Sequence, residues 1–359
     1  MNSLTIRSLD GLRGFAVLLV LLSHMSLAGV NLHPVLDFAG VGKAGVYLFF
    51  ALSAFLLTWQ AFAAGETALT SSRYWVGYAI RRVCRIYPLY LIVLIVSFLI
   101  TLISTGYITA IESPQDLLLH LGLMAGNHIY WAIPVEFKYY LLLPAVCLLL
   151  TWSASKHATL AGVLVASTLL LHSILWPADA TKPNSIQLMP YLSIFLLGSF
   201  VAILCRDFNE QIERYSRIFG ILGWLAIVAG IATIPAVWRA ITSLDVTNQF
   251  FHKSFLLYGV IWSIAIIAAF RGDNLYINFF SLEPCRFIGR ISFSIYLWHF
   301  PIVQLVNRHL EINVSIKFLL TIITTIAVSY ISYRFIERPF IKWGHDRTGD
   351  WRNSKSKSL

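Results

Sequence analysis

The stretch GLRGFAVLLVLLSHMSLAGVN at residues 11–31 decides the class of fold. Two ionisable side chains, Arg13 and His24, interrupt an otherwise apolar run. An α-helix needs about 20 mostly apolar residues to cross roughly 30 Å of hydrocarbon. Similar runs follow at 43–63, 84–105, 133–152, 158–176, 187–205, 218–236, 254–270, 288–308 and 314–336, giving ten candidate spans. Pro88 and Pro301 fall in the third and ninth, where neighbouring helices can re-satisfy the freed backbone. The expected fold is an all-α, polytopic membrane helix bundle.

The composition of the 359 residues agrees. Hydrophobic residues make up 58% and charged residues 12%, against about 45–50% and about 25% in soluble domains. A soluble globule of this length could not cover so much apolar surface with polar groups, so the apolar side chains face lipid. That imbalance excludes a disordered chain, a nucleic-acid-binding domain and a secreted disulfide scaffold. Cys84, Cys147, Cys205 and Cys285 are scattered, with no Cys-x-x-Cys metal site and no disulfide framework among them.

The net charge of +10 reads as topology. With the N-terminus inside, 20 Lys and Arg fall on the inner side and 7 on the outer, alternating loop by loop. That is the positive-inside pattern, with both termini cytoplasmic. The first span is expected to stay in the mature chain, because its removal would invert the charge pattern of every later loop. Residues 1–345 are read as one membrane domain and 346–359 as a polar cytoplasmic tail. The long loop 106–132 lies outside, and its length and apolar stretch Leu117–Met124 suggest a helix lying on the outer surface or dipping partway in.

Ionisable residues inside a span are costly and are candidates for function. Arg13 and His24 are eleven positions apart, which at about 100° per residue returns them to within about 20° of one helix face, some 16 Å apart. A snorkelling anchor is the plainer reading of Arg13 alone. A helix–helix hydrogen bond would account for His24 alone, but the shared face favours function. Arg81, Arg82 and Arg85 fall on one side of a helix and offer planar forks suited to phosphate, although a positive-inside stop signal fits them equally. Glu136 lies at the outer end of the fourth span with Tyr139 and Tyr140 one turn on. Depth alone brings His24 and Glu136 into the same half of the bilayer, where a carboxylate beside an imidazole equips it as a general base. Ser53 and the pair Tyr296 and His299 are further candidates, each open to a packing role.

Taken in order, these residues resemble the acyltransferase-3 family of bacterial integral-membrane acyltransferases. Leu9-Asp-Gly-Leu-Arg13-Gly…His24 is similar to its Arg-x10-His signature. Phe49-Phe-Ala-Leu-Ser53-Ala-Phe-Leu is similar to its aromatic Ser-Gly-Phe-Leu stretch, with Ala54 where the family usually has Gly. Arg82-Val-Cys-Arg85 holds an Arg-x-x-Arg element, and Trp131…Glu136…Tyr140…Pro144 resembles the Trp-x4-Glu-x3-Tyr-x3-Pro segment. Ile291-Ser-Phe-Ser-Ile-Tyr296-Leu-Trp-His299 and Ile336-Glu337-Arg-Pro339 resemble the closing motifs. Tyr47 stands where the family often has an acid.

The resemblance implies O-acylation of a surface or exported glycan, or of a lipid-linked sugar, in the bacterial cytoplasmic (inner) membrane. The cosubstrate would be acyl-CoA, most simply acetyl-CoA, with no bound cofactor. Arg82 and Arg85, helped by Arg81 and Arg13, would hold the donor phosphates. His24, steered by Glu136, would act as general base. Transfer of succinyl or another acyl group is the nearest alternative. A secondary transporter is more distant, since no paired, Gly/Pro-broken spans occur in matching halves.

Overall fold

The computed structural model describes residues 3–33, 36–103, 111–156, 158–242, 244 and 246–349. Among them no strand occurs. Ten principal helices follow the ten apolar runs: α1 (Ser3–Leu27), α2 (Gly42–Ala64), α3 (Ser72–Ile103), α4 (Ala132–Lys156), α5 (Ala158–Leu175), α6 (Leu192–Asp207), α7 (Ser216–Ala232), α8 (Phe255–Arg271), α9 (Ser292–His309) and α10 (Val314–Ser332).

A helix at each run is a weaker statement than a span at each run. Six helices among the described residues are long and apolar enough to cross a membrane, and eight if two bent pairs each count as one span. The first bent pair joins α7 to Pro235–Thr242 at 81°. Pro235 cannot donate to the preceding turn, so the run read as 218–236 breaks before it. The second joins α8 to Asn274–Phe280 at 97°.

Other boundaries shift as well. α3 starts at Ser72 rather than 84, which carries the three arginines and Pro88 inside one continuous helix. Residues 288–290 belong to a separate helix, Glu283–Arg290, ahead of α9. After α10, a π-helical turn at Tyr333–Glu337 leads into the helix Arg338–Thr348, so residues 346–348 of the expected tail are helical. Residues 350–359 lie outside the described residues. In the long loop, Pro114–Leu121 forms a short helix.

Burial separates a centre from a periphery. The apolar windows of α1 and α2 are each 67% buried in protein, against 17% for the window within Val314–Thr348. α2 packs on α6, α1 and α8, while α1 packs on Glu283–Arg290, α9 and α8. Close approach requires glycine at this centre. A Cβ on Gly289 would lie 1.8 Å from the Asp10 carbonyl oxygen, and one on Gly11 would lie 1.8 Å from that of Phe280. Small residues that let backbones touch are the usual means of helix association in membranes. Gly289→Ala is therefore expected to force α1 off its partner helix. The expected cost is about 1–3 kcal/mol, the range for overpacking, read as a lowered melting temperature in detergent micelles.

Candidate active site

Among the described residues, two cavities are lined by both α1 and α2. The first, of about 250 Å³, is lined by Arg13 of α1, Ser53 of α2, Arg81, Arg82 and Arg85 of α3, and Glu136 of α4. One turn of helix gathers the three α3 arginines on one side, as their spacing predicts. Their partners differ. The Arg81 guanidinium donates to the Thr348 hydroxyl at 2.9 Å. Arg85 Nη1 lies 3.0 Å from Glu337 Oε1, and that carboxylate is wholly buried. The Ser294 hydroxyl donates to the other Glu337 oxygen at 2.9 Å. The π-helical turn carries Glu337 inward to this position, as such turns often do at functional sites. Among the described residues, no ion pair joins Arg13 or Arg82 to an acid, and Arg82 Nε is buried without a hydrogen-bond partner.

Glu136 belongs to this arginine cavity. Its Oε1 accepts from the Ser53 hydroxyl and from the Tyr140 hydroxyl, both at 2.6 Å. Tyr140, four residues on, is on the expected face. Tyr139 is not, because its hydroxyl pairs with Ser199 of α6 at 2.5 Å in a buried cluster with Thr58. It ties helices together and does not line either cavity.

The second cavity, of about 280 Å³, holds His24, together with Lys43, His128, Trp131 and His252. His24 Nδ1 lies 3.0 Å from the Val20 carbonyl, one turn back on α1. A carbonyl accepts only, so Nδ1 carries the proton and Nε2 is left as a bare acceptor. His299 repeats the arrangement, with Nδ1 3.0 Å from the Ile295 carbonyl. Its Nε2 is then the acceptor, 3.2 Å from His24 Nδ1. Two neutral imidazoles thus interlock, and His299, completely buried, fixes the His24 ring.

The expected pairing of His24 with Glu136 is not formed. The two side chains line different cavities and keep different partners. Depth in the bilayer was the basis for joining them, whereas direction around each helix axis decides the contact. His24 turns toward α9 and Glu136 toward α2. Among the described residues, only Val46 and Tyr296 line both cavities. The Tyr296 hydroxyl donates to the Ile129 carbonyl, which fixes that ring between them.

Lys43, His128, Trp131, His252 and Glu337 were not singled out as individual candidates from the sequence, although Trp131 and Glu337 sit inside quoted motifs. In the sequence Lys43 counts only as one of the seven outer charges. At the rim, His252 Nε2–H donates to the Gly40 carbonyl at 3.0 Å. Burial, with the Lys43 ammonium adding to it, pushes the His252 imidazole down to about 4. A folded-state value below the ordinary 6.5 means that the unfolded chain binds the proton more readily. This residue's effect is absent above 6.5 and lowers stability as pH falls from there toward 4. His252→Asn is expected to flatten that limb of a melting-temperature profile and to leave the slope above pH 7 unchanged.

Comparison with known proteins agrees with the order of the motifs. The acyltransferase-3 family model, described as an acyltransferase domain, matches residues 6–334. The O-acetyltransferase OatA of Staphylococcus aureus is 26% identical over 94% of this chain and 57% of its own length. The peptidoglycan O-acetyltransferase OatA of Listeria monocytogenes is 26% identical over 94% of this chain and 56% of its own. A putative O-acetyltransferase of S. aureus, SAR0937, is 25% identical over 96% and 59%. The chain thus spans a little over half the length of these curated relatives. No solved structure matches it. With its several membrane-capable helices and a family match over nearly its whole length, the chain is a multi-pass membrane protein that belongs to the acyltransferase-3 family.

Proposed function

We propose that the chain moves an acyl group, most simply acetyl, from cytoplasmic acyl-CoA to a hydroxyl of a glycan on the far side of the bacterial cytoplasmic membrane. The observation that supports this reading is the pair of neighbouring cavities whose linings share Tyr296 and Val46. One offers the guanidinium groups of Arg13 and Arg82, which make no ion pair among the described residues, and the other offers a bare imidazole nitrogen. The family membership supplies the reaction class, and the relatives' names supply O-acetylation. The positive-inside count supports ten crossings, with both termini and the arginine cavity on the cytoplasmic side.

On this reading the phosphates of the donor lie against Arg82 and Arg13, with Arg81 nearby, and its thioester arm reaches toward Tyr296. An acceptor hydroxyl enters the histidine cavity and donates to His24 Nε2. As that proton passes to His24, the hydroxyl oxygen bonds to the thioester carbonyl carbon. The carbon–sulfur bond then breaks, and the departing thiolate takes the proton from the imidazolium. His299 holds the ring through Nδ1, the position the sequence reading gave to Glu136. Glu136 instead fixes Ser53 and Tyr140 where the thioester arm would pass.

Mass spectrometry of cell-surface glycans with and without the gene tests this. Loss of one acyl increment at a defined sugar is expected, and its mass separates acetyl from succinyl. Uptake of a solute into proteoliposomes without any acyl transfer would mark the protein as a transporter instead.

A further inference from the structure

The lining of the histidine cavity specifies more than a hydroxyl. Among the described residues it contains Lys43, His24, His128 and His252, and no Asp or Glu. The arginine cavity differs, since Glu136 lines it. Lys43 is half-buried and makes no ion pair among the described residues. Its ammonium donates to Asn184 Oδ1 at 2.6 Å and sits 3.5 Å from the centre of the Trp131 ring. An ammonium carries three donors. Asn184 takes one and the aromatic face a second, so a third remains for the cavity.

Burial without a counter-ion disfavours the charged form of such an amine, and an anion supplied by a ligand both holds the ammonium and relieves that cost. Lys43 is also the second residue of α2, whose first residue Gly42 lines the same cavity and whose N-cap Val41 provides no side-chain cap. The positive end of the helix dipole therefore adds to the ammonium field. His252, neutral with its Nε2 proton given to Gly40, does not compete for the ligand charge.

We infer that this cavity selects an acceptor sugar bearing an anionic group, with Lys43 as the counter-ion that places a neighbouring hydroxyl at His24. The shared chemistry is an anion close to the accepting hydroxyl: a carboxylate on the sugar itself, or a phosphate that links it to a lipid. The hydroxyl placement rests on the acyl-transfer reading above; the charge preference rests on the lining alone.

The test uses full-length protein in proteoliposomes with labelled acetyl-CoA and three acceptors. These are a glucuronic-acid-containing oligosaccharide, the same oligosaccharide with its carboxyl converted to the amide, and a polyprenyl-diphosphate-linked neutral disaccharide. The wild type is expected to favour an anionic acceptor over the neutral amide by about tenfold or more in kcat/KM, mostly through KM, the scale of one charge-assisted contact. Preference for the first or the third acceptor identifies carboxylate or phosphate as the source. Lys43→Gln should lower kcat/KM for the anionic acceptor about tenfold more than for the amide, and Lys43→Arg should restore the preference.

Equal use of acid and amide by the wild type overturns the proposal, as does an equal effect of Lys43→Gln on both. Should no acceptor be acylated, calorimetric binding of the same three compounds to the purified protein decides. Charge-dependent binding lost in Lys43→Gln supports the anionic pocket even as the acyl-transfer reading fails, whereas charge-independent binding, or none, refutes it.

Discussion

A His24→Ala protein is expected to reach the membrane in normal amounts and to lose acyl transfer by about 10²–10⁴-fold, the scale of general-base assistance. The expectation follows from one nitrogen. Nδ1 is committed to the Val20 carbonyl and to His299, so Nε2 is the atom that can accept a proton. His24→Asn makes the sharper variant. Its amide N–H can still donate to the Val20 carbonyl, but no basic nitrogen remains. Equal loss in both variants, with unchanged protein in the membrane fraction, assigns the defect to chemistry. Wild-type transfer by either would remove His24 from the mechanism. His299→Gln acts only through His24, as a positioning change. A smaller loss is expected there, with a displaced acid limb of the pH–rate profile that a purely structural defect would not produce.

The second large effect is on the donor. Arg82→Ala is expected to raise KM for acyl-CoA by roughly 10–100-fold, as the loss of a charged hydrogen bond of about 1.5–3 kcal/mol implies. The wild-type KM should rise with salt, and the variant's should rise less. Arg82 suits this experiment because, among the described residues, its guanidinium has no acid partner to strand. Arg85 does not. Removing it leaves the buried Glu337 carboxylate without its cation, a defect worth about 3–5 kcal/mol for fully buried pairs. Arg85 is itself 22% exposed, which places it toward the low end of that range. Arg85→Ala should therefore reduce the amount of folded protein, and adding Glu337→Gln should restore it. Donor affinity in the restored double variant, compared with Glu337→Gln alone, then reports whether Arg85 helps to hold the donor. An unchanged KM in Arg82→Ala would return the cluster to its topological role.

The arginines illustrate how far the sequence reading reached. Their spacing put them on one helix side, and they do line one cavity. The division of labour among them depended on distant residues: Glu337 neutralises Arg85 and Thr348 binds Arg81, both from the C-terminal segment. Tyr139 and Tyr140 make the same point at adjacent positions. One reaches Glu136 within its own helix, a contact that helical spacing supplies. The other reaches Ser199, sixty residues away, which spacing cannot anticipate.

By itself the sequence determined that the chain enters a membrane, which apolar runs form its principal helices and which family it joins. Hydropathy and helical period are properties of a segment and survive without knowledge of its neighbours. Only the tertiary structure decided that His24 meets His299, 275 positions away, rather than Glu136, and that Tyr296 lines two cavities at once. Rotation of each helix about its axis is fixed by packing, through contacts such as Gly289 on Asp10, and no single segment contains that information.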